Sequence, residues 1–126
     1  MKQIFQLDDK LKTEIIEFEK SCEQICMRQQ KKFEDLFKKK GKRLTVELIR
    51  EKKGKIAAAN EIFEENYESY IETGIEEDGE YFPDAYIPVW KCKKDWFQTV
   101  GYVNEDPPSA IETKLEKMIL EMLEEA

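Results

Sequence analysis

Between Ile56 and Trp90 the chain carries ten acidic side chains and not one basic residue, which makes this stretch the first candidate for contact with another molecule. Glu61, Glu64, Glu65, Glu68 and Glu72 come first, with Glu64, Glu68 and Glu72 in steps of four, and Glu76, Glu77 and Asp78 follow. Carboxylates in such a run can hold a metal ion, exchange protons or dock a cationic surface. The chain has no histidine, which removes Ser-His and Cys-His dyads, imidazole metal ligands and a histidine pH switch. Carboxylate metal sites in helical bundles combine Glu with a Glu-x-x-His element, which cannot exist here. The stretch Asp78-Gly79-Glu80 lacks the one-three-five oxygen spacing of a calcium loop. The reading is therefore no catalytic set, no metal and no cofactor. What remains for the acidic flank is docking a basic partner, including imitation of nucleic-acid phosphate by an inhibitor.

Ten of the fourteen aromatics fall between Phe63 and Tyr102, in the same acidic half. Tyr and Trp supply large contact area with a polar tip, so Tyr86, Trp90 and Trp96 are the candidate anchors for a protein partner. Cys22, Cys26 and Cys92 lie in a chain without secretory features and read as reduced thiols of a cytoplasmic protein. Cys22 and Cys26 sit on an apolar helical stripe as small buried hydrophobes.

The opposite charge is concentrated upstream. Residues 28–55 hold 12 basic and 4 acidic side chains. Lys38, Lys39, Lys40, Lys42, Arg43, Arg50, Lys52, Lys53 and Lys55 form an alternative, nucleic-acid-binding set, since clustered cations release counterions from phosphate. Forcing Val46–Glu65 onto a helix-turn-helix places Arg50 where a small residue belongs and Asn60 where an apolar one belongs, so that motif fits poorly.

These groups need elements to position them. Leu11, Ile15, Phe18, Cys22, Ile25 and Phe33 recur at helical spacing, predicting a long helix over 9–40 capped by Asp8 or Asp9 and stopped near Gly41. A second helix is expected over 45–73, with Gly54 as a tolerated interruption. The β-branched and aromatic runs within 75–108 predict an antiparallel β-hairpin, with Pro88 at an edge or a strand start. Ser109-Ala110-Ile111-Glu112 resembles a capping box, opening a C-terminal helix over 109–125.

The expected fold is α+β, mostly α: a single domain over 1–126, built on a long antiparallel helical hairpin with a small β-hairpin and a C-terminal helix. A helix of about 32 residues overhangs a globule of this size, so a homodimer or coiled coil through its apolar seam is a further expectation. No stretch is apolar enough to span a bilayer, and no membrane is expected. The function expected is that of a non-catalytic protein-binding module or small inhibitor, of the kind carried by phage or mobile genomes. It would act through the acidic and aromatic residues; nucleic-acid binding by 38–55 is the alternative.

Overall fold

Apolar residues spaced by alternating fours and threes can line only a helix, and the chain forms one, α1 (Asp9–Lys38). Asp8 caps it, its carboxylate accepting from the Leu11 N–H at 2.8 Å. The computed structural model describes all residues, 1–126. Before α1 lies a short strand, β1 (Lys2–Ile4). After it the backbone turns through Gly41 into β2 (Arg43–Lys52), β3 (Lys55–Ile56), a single 3-10 turn (Ala59–Glu61) and β4 (Tyr67–Glu77). The long hairpin β5 (Glu80–Asp95) and β6 (Gln98–Val103) follows, and α2 (Pro108–Glu125) closes the chain.

The helix expected over 45–73 is absent, and with it the helical hairpin. That stretch supplies strands, and the molecule is a six-stranded antiparallel sheet, ordered β1-β6-β5-β4-β2-β3, with two helices on one face. Alternation is the reason. Leu44, Val46 and Leu48 point one way while Thr45, Glu47 and Ile49 point the other, and Tyr67, Ser69, Ile71 and Thr73 alternate with Glu68, Tyr70 and Glu72. Period two builds a half-buried strand. Gly54 is a turn, not a helical interruption: Lys53 and Gly54 both have positive φ (52° and 77°), as do Asp78 and Gly79 between β4 and β5 (54° and 80°). Positive φ at both central residues is the two-residue hairpin geometry whose twist matches the flanking strands.

Pro88 stands in an interior strand. Ser69 pairs with Trp90 and Tyr70 with Pro88, leaving Val89 extra, so the proline sits at a β-bulge. Pro83 does the same at the second bulge, where Thr73 pairs with Ala85 and Gly74 with Pro83. Ser109 does not cap α2; Pro107 occupies the cap position and Pro108 the first turn.

The core lies between helices and sheet. Ile15, Cys22, Ile25, Phe33 and Phe37 of α1 and Ile111, Leu115, Ile119 and Met122 of α2 meet Leu44, Val46, Ile71, Ile87, Trp90 and Cys92 of the strands. The α1 seam is thus consumed within the chain, and no coiled coil forms. Buried side chains run along α1 from Ile15 to Phe37, so most of its roughly 45 Å packs against the rest of the chain. α2 runs alongside the second half of α1, tied by Arg28 to Glu112 at 2.7 Å and Lys32 to Glu116. No helix is long and apolar enough to cross a membrane.

One charged group lies inside. Glu19 of α1 has no solvent exposure; Arg50 Nε donates to its Oε1 at 3.0 Å and the Tyr67 hydroxyl to its Oε2 at 2.6 Å. Arg50 also reaches Glu23 at 2.8 Å. Both carboxylate oxygens of Glu19 are therefore satisfied, as a buried charge requires. Cys22, Cys26 and Cys92 are free and buried, and burial pushes each thiol up to about 12.

Candidate functional site

The helices cover one face of the sheet and leave the other open. On that open face the alternation of β2 and β4 brings like charges together. Glu47 lies directly opposite Glu72, and Glu51 directly opposite Glu68. Opposed residues have Cβ atoms about 5 Å apart, where like charges destabilise the pair. The four glutamates mark a rectangle about 13 Å long, since four strand residues separate the two pairs. The next strand adds Tyr86 opposite Glu72 and Lys91 opposite Glu68.

Three tyrosines sit among them. Tyr70 and Tyr86 meet edge to face, ring centroids 5.9 Å apart. Tyr81 donates its hydroxyl to Glu72 at 2.9 Å. The hydroxyl end of its ring lies against Gly74, where a Cβ would fall 2.3 Å from the hydroxyl oxygen, so only glycine admits that placement. Tyr86 is 68 % exposed, and its hydroxyl makes no hydrogen bond within the chain. A shallow concavity of about 450 Å³ runs between these side chains, lined by Met1, Glu51, Glu68, Tyr70, Tyr86 and Lys91.

The electrostatics follow from the crowding. Hydrogen bonding to Glu51, with partial burial and the Glu51 charge, holds the Glu68 carboxyl above its ordinary range, against the pull of Lys91. Burial and then Glu51 push the Tyr70 hydroxyl up to about 12. The face offers negative charge and hydrogen-bonding hydroxyls. No three acidic or cysteine side chains converge closely enough to hold a metal ion.

The acidic residues named from sequence fall into three places. Glu68, Glu72 and Tyr86 share the open face, and Glu76 borders it, paired with Arg43 at 3.7 Å. Glu77 and Asp78 lie at the β4–β5 turn. Glu61 and Glu64 flank Lys52, at 3.5 and 2.8 Å, and Glu61 also accepts from the Ala58 N–H; Glu65 lies in the loop after them. Trp90 is no surface anchor. It is fully buried, donating its indole N–H to the Ile62 carbonyl at 2.7 Å. Trp96 is 85 % exposed but lies at the tip of the β5–β6 hairpin, away from the acidic face.

The basic set is dispersed. Lys38, Lys39, Lys40, Lys42 and Arg43 gather at the α1–β2 turn, where Lys40 donates to the Leu123 carbonyl at the end of α2. Lys53 and Lys55 lie at the other end of β2, about 33 Å away. Arg50 is engaged inside with Glu19 and Glu23, and Lys52 with Glu61 and Glu64.

Glu47, Glu51, Tyr70 and Tyr81 were not singled out by sequence reasoning. The signal for them was the alternation of β2 and β4 together with Asp78-Gly79, a strong two-residue hairpin marker. Comparison of the chain with protein-family models, with curated proteins and with solved structures finds no match.

Proposed function

We propose that this protein is a non-catalytic binding module that seats a basic protein surface on the open face of its sheet. The observation that carries the reading is the pair of directly opposed glutamates, Glu47 with Glu72 and Glu51 with Glu68, on a face that no element of the chain covers. Such pairs cost stability. Lysines or arginines from a partner would neutralise all four carboxylates at once, while Tyr70 and Tyr86 supply flat contact area between them. Surfaces built to grip phosphate are among the most basic a partner can present, so occupation of such a surface, and its inhibition, is the sharpest form of this function.

The test uses a charge-reversed variant that keeps the fold. Glu51→Lys with Glu72→Lys replaces each like-charged pair by an ion pair. Immobilised wild type should retain basic proteins from native lysate that the variant retains at least about tenfold less, with retention falling as salt rises. Duplex DNA should release a phosphate-gripping partner. Identical sets of proteins on wild type and variant would overturn the reading.

A further inference from the structure

At one end of the sheet the β5–β6 hairpin continues past its neighbours. β4 begins at Tyr67, level with Lys52 of β2, and the Asn66 N–H bonds the Cys92 carbonyl. Beyond Cys92 only β5 and β6 remain paired, through Lys93–Val100, Lys94–Thr99 and Asp95–Gln98. The tip therefore projects about 13 Å beyond the start of β4. Its two turn residues are Trp96 and Phe97, 85 % and 96 % exposed, and no other aromatic side chains in the chain are as free of contact. Trp96 holds φ at 56°, a left-handed conformation that glycine or asparagine adopts far more readily. A bulky aromatic kept in that place and left in water is doubly unfavourable to the fold alone.

Behind the tip stands a band of cations. Lys93 and Lys94 are exposed on β5, and Lys53 and Lys55 are exposed on the adjacent β2–β3 hairpin. Lys53, Lys91 and Lys93 line one shallow concavity of about 360 Å³ at this end, with Glu68 at its border. Lys53, Lys55, Lys93 and Lys94 form no ion pair, and Asp95 is the acidic residue nearest the tip in sequence. The order along the projection is the apolar Trp96 and Phe97, then the single carboxylate Asp95 opposite Gln98, then the cations. A bilayer presents that order to an approaching protein in reverse: anionic headgroups outside, acyl chains within. Lys91 and Lys93 also lie over the Tyr102 ring, at 5.7 and 5.3 Å, so a single-stranded nucleic acid is the competing occupant that the test must separate.

The geometry points to peripheral attachment of this end to an anionic phospholipid surface, with Trp96 and Phe97 entering the interface and Lys93, Lys94, Lys53 and Lys55 at the headgroups. The acidic face described above lies on the broad side of the sheet and adjoins this end at Glu68 and Lys91. The experiment is co-sedimentation with vesicles of phosphatidylcholine alone and of phosphatidylcholine with about 30 mol % phosphatidylserine. Binding is expected to the anionic vesicles only, with a blue shift of the exposed tryptophan emission that Trp96→Phe abolishes. Trp96→Gly with Phe97→Ser, and separately Lys93→Gln with Lys94→Gln, should each weaken binding about tenfold or more. The tip variant removes backbone strain, so its thermal midpoint should not fall. Failure to sediment with anionic vesicles, or sedimentation indifferent to the tip variant, would overturn the proposal. So would quenching of Trp96 by single-stranded DNA or RNA in the absence of any vesicle binding.

Discussion

The two faces of this sheet treat the same side chain in opposite ways. On the covered face Glu19 is fully enclosed, and every oxygen it presents is met by Arg50 or Tyr67. On the open face Glu47, Glu51, Glu68 and Glu72 stand in like-charged pairs, with Lys91 beside Glu68 and the Tyr81 hydroxyl on Glu72. The buried charge serves the fold, locking α1 to β2 and β4 at one register. The exposed charges work against it. That opposition between charge and stability is the ground for the docking role proposed for the open face.

The sharpest way to break that comparison is to remove the inner charge. Glu19→Ala leaves Arg50 short of a partner in a nearly closed site, and loss of one member of a buried pair costs about 3–5 kcal/mol. Chemical denaturation should show it, with Glu23 retaining only part of the Arg50 interaction. A matched pair of glycine substitutions comes next. At Gly101 a Cβ would fall 2.1 Å from the Trp90 ring, which is locked in the core, so Gly101→Ala should cost about 1–3 kcal/mol or more. Gly74→Ala meets Tyr81 at 2.3 Å, but that ring is partly exposed and swings outward. The Gly74 variant should lose under about 1 kcal/mol while freeing Glu72 from its tyrosine. Equal losses at the two sites would erase the distinction between faces.

The smallest effect has the opposite sign. Glu68→Gln should stabilise the protein by about 0.2–1 kcal/mol at neutral pH by ending repulsion with Glu51. Because the folded protein holds the Glu68 carboxyl above its ordinary range, it keeps a proton that the unfolded chain has already released. Stability therefore falls as pH rises through that interval. The variant's advantage should accordingly appear as pH rises above the carboxylate range and shrink below it, read as the difference in thermal midpoint between the two proteins.

Sequence periodicity located some elements and misplaced others for a definable reason. In α1 the apolar steps alternate between four and three, and an odd step places a residue on the wrong face of any strand. That segment had one reading. Glu64, Glu68 and Glu72 are four apart, an even interval that satisfies a helix face and a strand face alike. Read as a helix, they suggested one acidic stripe. As strand residues, Glu68 and Glu72 become half of a two-strand array whose other half, Glu51 and Glu47, lies 17 and 25 residues upstream of its partners. Pairing between distant segments leaves no local trace. The two hairpin turns did leave one, in Lys53-Gly54 and Asp78-Gly79, and so did the alternation of Tyr67 through Thr73. Trp90 and Trp96 show the complementary limit, because residue type cannot say which of two tryptophans the bulge at Val89 turns inward.

The three enclosed thiols give the molecule an internal clock. Cys22 and Cys26 lie on α1 and Cys92 on β5, all shut away and all strongly protonated. An alkylating reagent reacts with thiolate at an accessible sulfur, so in the native state it must wait for the protein to open. If helix and sheet part together, all three cysteines acquire label at one common rate. If α1 lifts first, Cys22 and Cys26 will be marked before Cys92, and the order of modification will record the order in which the layers separate.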